Sequence, residues 1–277
     1  KVLDTQTQQL RLNPGESTVD VPVPPLPAGL VFADVRVLRD GAICGWSSIP
    51  VRVASPLDIA DVTFPKELFG PGDPIAFKLT LSQAAPERTS LALTVRDAHG
   101  RTLAGTTVSV PAGQTVAEET LSLSPPLSVW HELAVQLRVE DRCVAEAREE
   151  FWREWRRPDD AFTLVGWYGP SKEGYMDQLI AQQFAASGLD TVYLSHVWGD
   201  GVDRRVIEPV RAGLAILPYI CAVRMPRLKV YDPHVRTPCL HDPKYRGKLF
   251  EQVELCARDL RRFCPAGYSL GDENYFA

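Results

Sequence analysis

Hydrophobic positions alternate with polar ones over most of the first 156 residues, then shift to a strand-and-helix rhythm. Alternation over runs of five to ten residues marks half-buried strands. Seven such runs follow one another: Ile59–Phe64, Pro74–Ser82, Thr89–Asp97, Thr102–Val110, Ala117–Leu123, His131–Glu140 and Val144–Trp152. Turn signals separate them, among them Gly70-Pro71-Gly72-Asp73 and Asp97-Ala98-His99-Gly100. Seven short strands in about 100 residues predict an immunoglobulin-like sandwich.

Part of this pattern occurs twice. Pro14-Gly15 leads through Val19, Val21 and Val23 to Pro24-Pro25-Leu26, then to Val35, Val37, Asp40-Gly41 and Cys44. Pro111-Ala112-Gly113 leads in the same order to Pro125-Pro126-Leu127, Val135, Val139, Glu140-Asp141 and Cys143. The first copy holds only the closing strands of a sandwich, so its opening strands are expected before Lys1. Residues 1–54 are thus read as the end of one sandwich and 56–156 as a whole one. Such sandwiches either bind carbohydrate or act as spacers. Trp46, Trp130, Trp152 and Trp155 form no recognisable platform in the sequence, which favours the spacer.

The second rhythm occupies residues 160–277. Phe162–Trp167, Thr191–Leu194, Leu214–Val223 and Tyr268–Leu270 are expected strands. Helices are expected around Tyr175–Phe184 and Asp203–Ala212. The third helix has the clearest signature. Asp242 suits its cap, Pro243 its first position, and Leu249, Val253, Cys256, Leu260 and Phe263 recur on one face. Four strand–helix steps make half of a (β/α)8 TIM barrel, whereas a doubly wound sheet is the rival topology. No glycine fingerprint for phosphate follows the first strand, where Gly166-Trp167-Tyr168-Gly169 stands instead. The fold expected is therefore multidomain: all-β immunoglobulin-like sandwiches, then the first half of an α/β barrel. Half a barrel predicts a fragment of a longer protein.

Composition narrows the partners. Of 23 prolines, 14 precede residue 128, in keeping with corners and edges of sandwiches. The net charge of −5 lies wholly in residues 1–156, and no basic patch points to nucleic acid. The longest apolar stretch, Gly213–Val223, is too short for a membrane span and contains Pro218. The six cysteines show no CxxC and read as buried thiols rather than metal ligands. No cofactor motif is present, and no HxH or HExxH spacing supports a metal. Oligomeric state is left open. So is localisation: a secreted or periplasmic place fits the chain, and unpaired cysteines point away from it.

Residues just past barrel strands converge on one face. That would gather Trp167, Tyr168, His196, Trp198, Arg224, Asp272, Glu273 and Asn274, with His241 at the start of the third helix. Aromatic rings stack on sugar faces while carboxylates and amides bind hydroxyls, so the mixture suits a neutral oligo- or polysaccharide.

The order of domains, the barrel start and the segment Tyr268-Ser269-Leu270-Gly271-Asp272-Glu273-Asn274 resemble the retaining glycoside hydrolases with a (β/α)8 barrel, within them the β-galactosidase-like branch. Cys239-Leu240-His241-Asp242-Pro243-Lys244-Tyr245-Arg246 is similar to the equivalent stretch of those enzymes. The resemblance covers about Asp160 to Ala277 and implies that Glu273 is the general acid/base, with a nucleophile after the seventh strand that these residues do not contain. It also implies an Asn just before the acid/base, where this chain has Asp272 and places Asn274 after it. The residues alone leave two rivals: a non-catalytic carbohydrate-binding or cell-surface protein with a degenerate barrel, and a metal-dependent barrel hydrolase using His196, His241 and Glu273.

Overall fold

The computed structural model describes residues 4–10, 15–24, 26, 29–156, 158, 162–169, 174–195, 202–219 and 242–269. Strands β1 (Gly29–Arg39) and β2 (Ala42–Val53) form an antiparallel hairpin. Its turn, Asp40-Gly41, takes positive φ at both residues, the geometry that matches the twist of paired strands. Val31, Ala33, Val35, Val37, Ile49 and Val51 share one face of the register. Most of this hairpin is exposed, Trp46 and Phe32 included.

All seven strands expected over residues 56–156 are present, together with a short additional one. They are β3 (Ile59–Thr63), β5 (Ile75–Leu81), β6 (Thr89–Asp97), β7 (Thr102–Val110), β8 (Val116–Leu121), β9 (Trp130–Val139) and β10 (Arg142–Arg153). The addition is β4 (Leu68–Phe69), which pairs in parallel with the end of β10. One sheet has the order β4-β10-β9-β6-β7 and the other β3-β5-β8. Alternation does what period two requires. Ile75, Phe77, Leu79 and Leu81 face Leu91, Leu93, Val95, Leu133, Val135 and Leu137 in one buried cluster. The β9–β10 turn, Glu140-Asp141, repeats the positive-φ geometry of the first hairpin. The repeat legible in the sequence is thus a repeated hairpin in space.

Several polar residues are buried at one end of this sandwich, among them Asp97, Ser128, His131 and Arg153. Arg153 is fully buried, and its guanidinium donates to the carbonyls of Ser124 at 2.8 Å and Pro71 at 2.7 Å. It ties two loops to the end of β10. His131 is fully buried, stacks on Phe151 at 5.3 Å between ring centres, and has its Nδ1 3.3 Å from the Val129 carbonyl.

The carboxyl-terminal part is a parallel sheet. Strands β11 (Val165–Tyr168), β12 (Thr191–Ser195) and β13 (Ala215–Tyr219) pair in that order. Helices α1 (Gly174–Ala186) and α2 (Val202–Arg211) connect them. Helix α3 (Pro243–Leu260) follows and tightens into a 3-10 turn over Arg261–Phe263. Asp242 caps α3, accepting from the Lys244 backbone N–H at 2.9 Å, with Pro243 in the first turn as expected. Cys256, Leu260 and Phe263 are buried and Leu249 and Val253 half-buried, so the expected face is the packed one. Gly188 and Gly213 stop α1 and α2 at positive φ, a conformation a Cβ disfavours. Of the expected fourth strand, the described residues show one parallel bridge, Tyr219 to Ser269. Sequential parallel order with helices on one face builds a barrel wall, and one half of a doubly wound sheet is built the same way.

Sandwich and parallel sheet share a second apolar cluster. Val129, Trp152, Trp130, Trp155 and Leu68 from the sandwich side pack with Val206, Val210, Leu260 and Phe263. Trp152 meets Phe263 edge-on at 5.2 Å. Arg211 of α2 makes a two-pronged pair with Glu150 of β10 at 2.8 and 2.9 Å, and Arg262 reaches Glu67 at 2.7 Å. Three of the four tryptophans that are scattered in sequence therefore gather at this junction. Trp46 does not join them.

Burial holds His131 neutral, its pKa lowered to about 4 from 6.5, and the nearby Arg153 works in the same direction. The unfolded chain takes up the proton first, so this contribution is intact above about pH 6.5 and is lost as pH falls towards 4. Replacing His131 with Leu should remove up to about 3 kcal/mol of the stability lost between pH 7 and 4. Urea unfolding at several pH values checks this; an unchanged pH slope would count against it. At the junction, a double-mutant cycle of Arg211→Ala with Glu150→Ala should give a coupling of about 1 kcal/mol, the pair being partly screened by solvent. Additive effects would mean that the pair contributes nothing to docking.

Candidate functional site: the open face of the parallel sheet

The register sets which side chains share a face. Val165, Thr191 and Ala215 align across the three strands, as do Trp167, Tyr193 and Leu217. Because side chains alternate, Tyr168, Val192, Leu194 and Ile216 point the other way, into the helices. Right-handed crossovers between sequential parallel strands put the connecting helices on one side, and Ala181, Ile180, Phe184 and Val206 accordingly pack there. The opposite face carries no described helix.

That open face is aromatic. The Trp167 ring lies 4.5 Å from Tyr193 and 6.3 Å from Tyr219, and Tyr193 lies 5.4 Å from Tyr219. The planes are mutually tilted, between 36° and 55°, as offset rings prefer. Trp167 is 57% exposed, while Tyr219 is buried. The Tyr193 hydroxyl donates to Ser269 Oγ at 2.8 Å. The backbone N–H of Ser269 donates to the Pro218 carbonyl at 2.9 Å, and that of Ala266 to the Ile216 carbonyl at 2.9 Å. These contacts lay the segment before Leu270 along β13.

Tyr168 belongs to the other side. It is fully buried, packs edge-on against Phe184 at 5.9 Å, and donates its hydroxyl to the Asp177 carbonyl at 3.2 Å. Burial, with Asp177 and Glu208 nearby, pushes its pKa up, so the phenol stays neutral. Adjacent in sequence, Trp167 and Tyr168 are separated by the sheet. They do not face one ligand together, as the sequence led us to expect: only Trp167 stands on the open face. His196, Trp198, Arg224, His241, Asp272, Glu273 and Asn274 lie outside the described residues. In sequence, His196 directly follows the end of β12 and Glu273 stands four residues after Ser269.

Tyr193, Tyr219 and Ser269 are not among the residues that the sequence marks for a site. The tyrosines in the strands Thr191–Ser195 and Ala215–Tyr219 are a local signal of them. Recognising them as one cluster needs the strand register. Among the described residues no group of His, Cys, Asp and Glu is arranged to hold a metal ion, and no helix is long and apolar enough to cross a membrane. The partly exposed Tyr268, next to Ser269, has its pKa raised by desolvation of its phenol and by the nearby Cys256 and Cys264 thiols.

No protein-family model matches the chain, and no curated protein matches it in sequence. Solved structures similar to it include several glycoside hydrolases. A β-D-mannosidase from Dictyoglomus thermophilum overlaps 78% of this chain and 29% of its own, at 14% identity and a TM-score of 0.37. A β-glucuronidase from Parabacteroides merdae overlaps 83% and 30%, at 10% identity and a TM-score of 0.35. A β-glycosidase from Bacteroides vulgatus overlaps 82% and 31%, at 12% identity and a TM-score of 0.33. The chain thus spans less than a third of the length of each. Superposition at this level carries no residue roles across.

The two faces of β11 should respond differently to substitution. Tyr168→Phe removes a buried hydrogen bond and leaves the Asp177 carbonyl without it, and should lower unfolding free energy by about 1 kcal/mol. Trp167→Phe, on the exposed face, should change it by less than about 0.5 kcal/mol. Urea midpoints of the two variants test the assignment, and the reverse ranking would refute it.

Proposed function

We propose that this chain belongs to a glycoside hydrolase that cleaves O-glycosidic bonds by a retaining, two-carboxylate mechanism, with Glu273 as the general acid/base. The observation that carries this reading is the parallel sheet with an open aromatic face, to which Ser269 is bonded four residues before Glu273. The sequence resemblance of Tyr268–Asn274 to the acid/base segment of barrel glycosidases adds to it. A carboxylate at the carboxyl end of a barrel strand stands where catalytic residues of that fold stand.

In this reading Glu273 protonates the departing glycosidic oxygen and later takes a proton from the attacking water. A second carboxylate, about 5–5.5 Å away, attacks the anomeric carbon. The nucleophile in this reading stands at the end of a later barrel strand. Asp272, as an adjacent anion, would raise the pKa of Glu273 and keep it protonated for its first task. Trp167 offers a ring face to a sugar, and His196, Trp198, Arg224, His241 and Asn274 are the proposed hydroxyl-binding and stacking partners. The sandwiches serve as supports, because Trp130, Trp152 and Trp155 are engaged at the junction.

In the full-length protein, Glu273→Gln should reduce turnover of glycosides with poor leaving groups by about 100-fold or more. Activated aryl glycosides, whose leaving group needs little protonation, should be slowed far less. Steady-state rates on the two substrate classes decide the matter. Equal effects on both would refute the acid/base role, complete absence of turnover in the native protein would favour a carbohydrate-binding protein, and loss of native activity to a chelator would favour a metal hydrolase.

A further inference from the structure

The hairpins β1–β2 and β9–β10 share one register, bulge included. In the first, Val37 pairs with Gly45 and Leu38 with Ile43, so Cys44 is bulged; in the second, Leu137 pairs with Ala145 and Arg138 with Cys143, so Val144 is. Position by position, Ala33, Val35 and Val37 therefore correspond to Leu133, Val135 and Leu137, which face the buried core of the second sandwich. The opposite face points outward. In the second hairpin that face is polar and satisfies itself: Arg148 pairs with Glu132 at 3.3 Å, and the Gln136 amide donates to Glu146 at 2.7 Å. The first hairpin has Phe32 where the second has Glu132, and Trp46 where it has Glu146. Phe32 is 62% exposed and Trp46 76%. The hairpin does not need rings at these positions, since its own second copy folds without them.

We propose that this outward face of β1 and β2 binds a neutral polysaccharide chain lying along the strands, in addition to the supporting role of the hairpin. Trp46 stands opposite Arg36, which sets it about 14 Å along the ribbon from Phe32. A single sugar is too short to touch both rings, and an extended oligosaccharide is long enough. Between the rings the Ser48 hydroxyl donates to Asp34 Oδ1 at 2.6 Å, and a carboxylate keeps acceptor capacity beyond one such bond. The rings suit the apolar faces of sugars, while Asp34, Ser48 and Arg36 suit their hydroxyls. Shape argues against a second copy or another globular partner. A ribbon of eleven residues and two strands offers about 400 Å². A specific protein interface takes about 800 Å² from each side. A linear chain needs no such breadth. The face lies outside the proposed hydrolytic site, and only the choice of a glycan rests on reading the chain as part of a glycoside hydrolase.

The test uses the full-length protein with Phe32→Glu, Trp46→Glu and the two combined. Each substitution installs the residue that the second hairpin carries at the same register, so the urea midpoints should match that of the native protein. Native gels containing galactomannan, xylan or hydroxyethyl cellulose should retard the native protein relative to a gel without polysaccharide. Either single variant should weaken that binding about tenfold, and the pair should abolish it. Turnover of small aryl glycosides should stay within about twofold of native in all three. Four results would overturn the proposal. They are no retardation by any of the three polysaccharides, retardation that survives the double variant, retardation by polygalacturonate alone, and a native dimer in sedimentation that Trp46→Glu dissociates. A fall in the urea midpoint with Trp46→Glu would also overturn it, because the ring would then be packed within the protein. The readout is binding, so it fails apart from the acid/base reading. Unretarded native protein whose Glu273→Gln variant discriminates between leaving groups loses this face and keeps the hydrolase. Ring-dependent retardation without any turnover keeps this face and removes the acid/base.

Discussion

The apolar cluster that crosses from the sandwich into the helix layer is the contact on which the arrangement depends. Trp152 at the end of β10 and Phe263 in the 3-10 turn after α3 meet edge-on, and both are buried. Burying side chains of this size contributes about 2–3 kcal/mol each, more than the ion pairs around them. The pairs have another role. Arg211 engages Glu150 through two parallel bonds, and Arg262 engages Glu67, so charge fixes the orientation of surfaces whose attraction is non-directional. Arg153 stiffens the sandwich side of the junction by joining the loops at Ser124 and Pro71 to the strand that carries Trp152.

This docking uses the helix side of the parallel sheet, and among the described residues no helix covers the other side. Tyr168, Val192, Leu194 and Ile216 are committed to the helices, and those helices to the sandwich. Trp167, Tyr193 and Tyr219 stand on that other side, beside Val165, Thr191, Ala215 and Leu217. A face that is aromatic and polar-tipped, with a hydroxyl bonded across two strand spacings, has chemistry to offer that the packed face lacks. Support and site are thus divided by the pleat of β11, where one residue step takes the chain from Trp167 to Tyr168.

Much of the local structure could be read from the chain because it follows from periodicity and from single residues. The alternation in β5, β6 and β9 marks their buried faces, and Asp242-Pro243 and the Leu249–Phe263 spacing mark the start and the packed side of α3. The short β4 leaves no such mark, because two residues carry no period and its pairing with β10 is non-local. Among cysteines, Cys256 is buried as expected, whereas Cys44 is exposed on the first hairpin. The hairpin repeat was legible as far as its turn residues, since Asp40-Gly41 and Glu140-Asp141 each take positive φ.

Sequence by itself determined the succession of a strand-rich part and a strand–helix part, the helix boundaries, and the placement of Glu273 after the segment that holds Ser269. These depend on neighbours a few residues apart, where backbone sterics and hydrophobic period act directly. Only tertiary structure decided that Trp130, Trp152 and Trp155 seal a junction rather than face a ligand, and that Trp167 and Tyr168 part company. Only the register of three strands brought Tyr193, Tyr219 and Ser269 together from positions up to 76 residues apart. Strand pairing joins residues by hydrogen bonds between distant backbones, and no local period records which strand will lie beside which.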